Sequence, residues 1–143
     1  MMKKDDIEIR EVNLSDSDFL YSLYTTRNSK DILTPIKYED QKTFVQKFID
    51  SDKTHPYSNW NIIEMNNKPI GSLTLHKISN ELGFWIIPEF QGKGIGPIAV
   101  KKFMDLCGKK DYSAFIRPDN PASISLVKKL GFELTHHKYT LRN

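Results

Sequence analysis

Only one cysteine, Cys107, occurs in 143 residues, so no intrachain disulfide can form and no cysteine cluster can hold zinc. Next to Leu106 it reads as a helix-packing residue, not a nucleophile. No stretch approaches the ~20 apolar residues of a membrane span. The amino terminus, Met-Met-Lys-Lys-Asp-Asp, runs on without the apolar core of a signal peptide. These absences point to a cytoplasmic chain with no membrane partner. Charge of one sign is also scarce: 21 Lys and Arg against 18 Asp and Glu leave a net +3, which suits an acidic ligand but falls short of a nucleic-acid footprint. Repeats, linkers and low-complexity segments are missing. What remains is a length that suits one domain over residues 1–143, large enough to bury a core without staples.

Periodicity supplies the elements. Ile7 to Val12 alternates as a first strand. Capping residues at Asn13 to Asp16 precede a helical rhythm at Phe19, Leu20, Leu23 and Tyr24. A second helix runs from about Tyr38, with Phe44, Val45, Phe48 and Ile49 on one face. Trp60–Met65, Ile70–Ile78 and Glu81–Ile87 read as three strands joined by tight turns at Asn66-Asn67 and Ser79-Asn80, an antiparallel meander. Ile98 to Leu106 is helical up to Gly108, Tyr112–Ile116 a short strand, Pro121–Leu130 a helix, and Phe132 onward extended. The order β-α-α-β-β-β-α-β-α-β gives an α/β fold: one mixed, mostly antiparallel sheet flanked by helices.

Glycine is sparse, yet three of the seven fall within five positions, in Gly92-Lys93-Gly94-Ile95-Gly96, between the most apolar strand and a helix. A helix start offers N–H groups without intrahelical partners, and the dipole adds a positive end there. Glycines let a bulky pyrophosphate approach the backbone, and Lys93 adds charge. Pro97 reads as the first helical residue, where its missing N–H costs little. Three readings fit this layout. Gly94-x-Gly96-x-x-Ala99 with Asp119 downstream satisfies a loose dinucleotide fingerprint, although only 47 residues follow Gly96 and the preceding strands look antiparallel. The P-loop pattern fails, because Gly-Lys-Ser/Thr is absent. A tight packing turn is the plain alternative.

The third reading is a resemblance. Gln91-Gly92-Lys93-Gly94-Ile95-Gly96 resembles the Gln/Arg-x-x-Gly-x-Gly/Ala signature of the GNAT acetyltransferase superfamily, and Gly83 to Phe90 looks like that family's fourth strand and its exit. Asn120-Pro-Ala-Ser123 and Lys129-Leu-Gly131-Phe132 look like its other motif, in the right order, so the likeness covers essentially the whole chain. Arg27-Asn28, Pro35-Ile36, Glu39 and Phe44 resemble the ribosomal-protein N-terminal and amino-sugar branches, and that segment would form a wall of the acceptor pocket. The resemblance implies acetyl-CoA as co-substrate, without a metal. It implies that the fourth and fifth strands splay apart, that the pantetheine arm pairs with the strand at Trp85, Ile86 and Ile87, and that the pyrophosphate rests on amides from Gln91 to Gly96. Asn120, a good N-cap before Pro121, would also touch the pantetheine.

Acetyl transfer to an amine needs a neutral nucleophile, a polarised thioester carbonyl and a proton for the leaving thiolate. A strand amide near Trp85 can meet the carbonyl. Glu81, which shares a strand face with Gly83 and Trp85, is the candidate base, with His76 behind it; a solvated Glu81 beside the turn is the structural alternative. Many relatives carry a Tyr where this chain has Val127, so Ser123 through water, or solvent alone, would supply the proton. His136-His137 lacks partners at metal-ligand spacing. The pairs Lys101-Lys102, Lys109-Lys110 and Lys128-Lys129 read as solvated helix ends, one or two of which would meet adenosine phosphates. The expected activity is N-acetyl transfer by direct attack, in a monomer or homodimer. A non-catalytic acyl-CoA-binding module is the rival and a nicotinamide oxidoreductase the third reading. Protein N-terminus, amino sugar and polyamine all stay open as acceptors.

Overall fold

A computed structural model describes residues 3–26 and 37–143. Strand β1 (Ile7–Glu11) is followed by helices α1 (Ser17–Thr25) and α2 (Tyr38–Ile49). Strands β2 (Tyr57–Met65), β3 (Lys68–His76) and β4 (Leu82–Ile86) come next, then helices α3 (Ile95–Cys107) and α4 (Pro121–Lys129). The four strands form one antiparallel sheet in the order β1-β2-β3-β4. Both predicted turns are tight, and Asn66, Asn67 and Asn80 take the positive φ that Asn tolerates.

Period-two alternation sends neighbouring side chains into different cores. Ile63, Leu73, Leu75 and Leu82 pack with Ile95, Ala99, Val100 and Phe103 of α3. On the other face Trp60 and Ile62 meet Val12, Leu20 and Val45, beneath α1 and α2. Ile62 and Ile63 are both fully buried because the sheet is covered on each side. Each such side chain contributes roughly 1.5–3 kcal/mol of transfer free energy. Trp60 Nε1, inside this second core, donates to Ser72 Oγ at 3.1 Å. Buried Asp16 takes both guanidinium nitrogens of Arg10, at 2.8 and 2.7 Å, and these contacts push the Arg10 pKa up.

Two predicted strands are corrected. Tyr112–Ile116 does not join the sheet as a strand. Only Ser113 bridges Glu81, in parallel, with Leu82 N donating to Ser113 O at 2.8 Å and Ser113 N to Asn80 O at 3.1 Å. That single bridge is the parallel component of the sheet. Beyond it the chain diverges towards the Asn120-Pro121 cap of α4, so no ladder can form. Residues 132–143 adopt no regular secondary structure, and Leu134, Tyr139 and Leu141 are exposed instead of being paired into a sheet. Pro97 is the third residue of α3, not the first, because the helix already starts at Ile95. Among the described residues no helix is long and apolar enough to cross a membrane, and no group of three or more potential metal ligands gathers.

His55 ties α2 to the sheet. It is buried against Phe44, Phe48, Tyr57 and Trp60, with ring centroids 4.2–5.9 Å away. Tyr57 N donates to its Nδ1 at 3.1 Å, so Nε2 carries the proton and donates to Phe44 O at 3.2 Å. Burial is the main reason its pKa is lowered; Lys77 and Lys47 add to this, against the Phe44 carbonyl and Asp52. A lowered histidine pKa means that the unfolded chain binds the proton first. Stability is therefore full above the unfolded value of ~6.5 and declines as pH falls below it. Urea midpoints are expected to drop between pH 7.5 and 5.5, and His55→Gln to flatten that dependence. An unchanged slope in the variant would remove His55 as the source.

Candidate active site: a cleft at the open edge of the sheet

Beyond the bridge at Ser113, no strand among the described residues lies beside the outer edge of β4. Ile87 N donates to Ile70 O at 2.9 Å, and His76 N to Glu81 O at 2.9 Å. Because antiparallel pairs alternate, the amides of Gly83 and Trp85 point to β3, while those of Leu82, Phe84 and Ile86 point to the open edge. Leu82 is taken by Ser113. Phe84 and Ile86 remain, as two rungs of an unfilled ladder.

A cleft of about 530 Å³ opens along this edge, between β4, the glycine loop, the start of α3 and one face of α4. Gly92 and Gly94 both have left-handed φ, +75° and +79°. Gly94 is the N-cap of α3, so the turn delivers the unpaired first-turn amides of Ile95 and Gly96 to the cleft; Pro97, in the same turn, has none to give. The loop is fastened to the strand by Gln91, whose Nε2 donates to Ile86 O at 2.8 Å. Gly96 admits α4: a Cβ there would lie 2.5 Å from Leu126 Cδ1.

Of the predicted residues, the structure brings Trp85, Ile86, Gln91, Gly92, Gly94, Ile95, Gly96, Asn120 and Ser123 to this one cleft. Asn120 caps α4, its Oδ1 accepting from Ser123 N at 3.2 Å. Three others stand outside the cleft lining. Ile87 spends its amide on β3, Lys93 is exposed with its Nζ 5.4 Å from the Phe90 ring centroid, and Glu81 sits at the bridge. Sequence reasoning missed Phe84 and Arg117 in the lining, and noted Asp119 only as part of a dinucleotide fingerprint. The alternation that selected Trp85 by its side chain would have found Phe84 by its backbone. Lys129, one of the lysines noted as a phosphate partner, lines the cleft with Arg117, which is bonded to Asp119 at 3.1 and 3.2 Å.

A second cavity, about 190 Å³, lies on the opposite side of β4 beneath α1 and α2. It shares Phe84 and Trp85 with the first. Arg27-Asn28 and Pro35-Ile36, read above as an acceptor wall, fall outside the described residues, but Phe44 of the same stretch lines this cavity.

An antiparallel sheet with an open edge, leading into a glycine turn and a helix start, is a layout that suits an extended ligand ending in phosphates. A dinucleotide fold would require parallel strands joined by crossovers, whereas the four strands here pair antiparallel in chain order. The chain matches the Acetyltransferase (GNAT) domain over residues 6–133 and belongs to that family. It is therefore an acetyl-CoA-dependent N-acetyltransferase, with acetyl-CoA as its acetyl donor. Solved structures share the fold. Spermidine N-acetyltransferase from Vibrio cholerae, in complex with CoA and spermine, is 19% identical with a TM-score of 0.78, over 93% of this chain and 84% of that one. RimL, a ribosomal L7/L12 alpha-N-protein acetyltransferase in complex with coenzyme A, is 21% identical with a TM-score of 0.73, over 92% and 82%. The acetyltransferase yncA from Salmonella typhimurium, with acetyl-CoA, is 21% identical with a TM-score of 0.72, over 92% and 82%.

Proposed function

We propose that the protein transfers acetyl from acetyl-CoA to a primary amine, on a small molecule or a protein N-terminus, by direct attack with both substrates bound. The observation that carries this reading is the meeting of two cavities at β4, through Phe84 and Trp85. The long cleft suits the donor and the smaller cavity the acceptor. A module that only bound acyl-CoA would have no use for the second cavity.

In this reading the outward amides of Phe84 and Ile86 pair with the pantetheine arm as an added strand would. The amides of Ile95 and Gly96 hold the pyrophosphate, Asn120 contributes from the α4 cap, and Lys129 faces the adenosine phosphates. The amine nitrogen attacks the thioester carbon, whose oxygen one outward β4 amide polarises. The carbon–sulfur bond breaks, and the thiolate leaves with a proton relayed along Ser123 and water. The acceptor sheds its ammonium proton before it attacks, and the second N–H proton it loses in forming the amide balances the one taken up by the thiolate.

Glu81 is the candidate acceptor of that proton, but it lines neither cavity, so it acts only through water. Glu81→Gln is expected to change kcat/KM for an α-amine by about threefold or less, far below the 10²–10⁴-fold of a positioned base. A hundredfold loss that shrinks as pH rises would make Glu81 the base. The reading as a whole is tested by thiol release with a panel of amines beside calorimetry with acetyl-CoA and NAD. Turnover together with acetyl-CoA affinity supports it; acetyl-CoA affinity without turnover, or tighter NAD binding, overturns it.

A further inference from the structure

The second cavity carries an inference about the acceptor, which rests on the reading just given. Its walls include the aromatic side chains of Tyr24, Phe44, Tyr57 and Trp60. Its polar groups are neutral: the Gln41 carboxamide and the hydroxyls of Ser72 and Thr74. Among the described residues no carboxylate, lysine, arginine or histidine lines it. The segment 27–36 holds Asp31 as its one acidic residue, against Arg27 and Lys30, so that stretch of sequence carries no surplus of negative charge either.

Gln41 is the telling residue. It is 6% exposed and lines the cavity. A carboxamide carries both a donor and an acceptor, so its place in the cavity wall marks a site for a ligand group that both donates and accepts. An amine beside an uncharged carbonyl is such a group. A polyamine suits it less: beyond its reacting amine it brings further cations, and among the described residues no carboxylate lines the cavity to attract them. Size agrees, because 190 Å³ is below the roughly 300–1,000 Å³ that encloses a drug-sized ligand. The cavity takes one end of its substrate.

Proton chemistry selects the same class. With no titratable base among the described walls apart from the two phenols, the acceptor must reach its neutral form with little help beyond water. An α-amine, pKa ~7.7–8.0, is about a third neutral at pH 7.5, whereas an alkylamine, pKa ~10.4, is about 0.1% neutral. We infer that the acceptor is an α-amine adjacent to an uncharged carbonyl, as in an amino-acid amide or a peptide N-terminus, and that Gln41 is its specificity residue.

The test is kcat/KM for thiol release at pH 7.5 with alanine amide, a neutral tripeptide, butylamine and spermidine. The α-amines are expected to exceed butylamine by roughly 200- to 300-fold, the ratio of their neutral fractions. Gln41→Leu is expected to lower kcat/KM for alanine amide about tenfold, leave butylamine unaffected and leave acetyl-CoA affinity unchanged. Gln41→Glu is expected to shift preference towards spermidine. Butylamine or spermidine outperforming the α-amines overturns the acceptor class while acetyl transfer stands. Equal losses for all acceptors in Gln41→Leu overturn the role of Gln41. Acetyl-CoA binding without turnover of any acceptor overturns this inference and the reading beneath it.

Discussion

Gly94→Val is expected to weaken acetyl-CoA binding by about 100-fold or more while the fold survives. The residue is the N-cap of α3 with φ +79°, a region a β-branched side chain avoids. Space is not the difficulty, since a Cβ here meets nothing within 4 Å. Strain of about 1–3 kcal/mol is relieved when the turn relaxes to negative φ. That rotation swings the amides at the head of α3 away from the cleft. Two charge-assisted hydrogen bonds are then at stake, each about 1.5–3 kcal/mol, and every 1.4 kcal/mol is tenfold in affinity. The same strain is a modest fraction of a stability of about 5–15 kcal/mol, so circular dichroism and the urea midpoint should stay near wild type. Calorimetry decides the matter. Affinity within about threefold of wild type, smaller than a single such hydrogen bond, would mean that the loop does not cradle the phosphates.

The sequence made the sheet and the cofactor cleft legible because their signals are local. Alternation at Ile7–Val12, the Asn66-Asn67 turn and Gly94 beside the helix start each state their geometry within a few residues. Asn120 before Pro121 did the same for the α4 cap. What was hidden depends on partners distant in the chain. Tyr112–Ile116 has strand-like composition, yet whether it pairs is settled by how far Ser113 travels beside Glu81 before the α4 cap pulls it away. The cavity under α1 and α2 gathers Gln41, Tyr57 and Thr74 from three elements, and no spacing rule links them. Glu81 was chosen for its face on the strand. Its distance from both cavities follows from where β4 begins, at Leu82, which composition does not announce.

Gly71 supplies the second large effect, and it acts through the same strand. A Cβ on Gly71 would lie 2.5 Å from the carbonyl oxygen of Trp85 and 2.9 Å from Ile63 Cδ1. The first neighbour is backbone, which cannot rotate aside. Gly71→Ala must therefore displace β4, whose outer edge is tied by the bridge to Ser113 and by Gln91. Displacement is easiest outward, into the cleft, and it carries Phe84, Trp85 and Ile86 with it. Overpacking of this kind costs about 1–3 kcal/mol, so the urea midpoint should fall clearly, and acetyl-CoA affinity should fall even where the variant is fully folded. Gly96→Ala is the control. Its Cβ would also meet an atom at 2.5 Å, but that atom is the tip of Leu126, which can adopt another rotamer. Alanine in a helix also gains up to about 1 kcal/mol over glycine. Stability of Gly96→Ala is expected within about 1 kcal/mol of wild type. Equal destabilisation of the two variants would show that contact distance alone governs the cost, and that β4 is not held against β3 by the missing side chain at position 71.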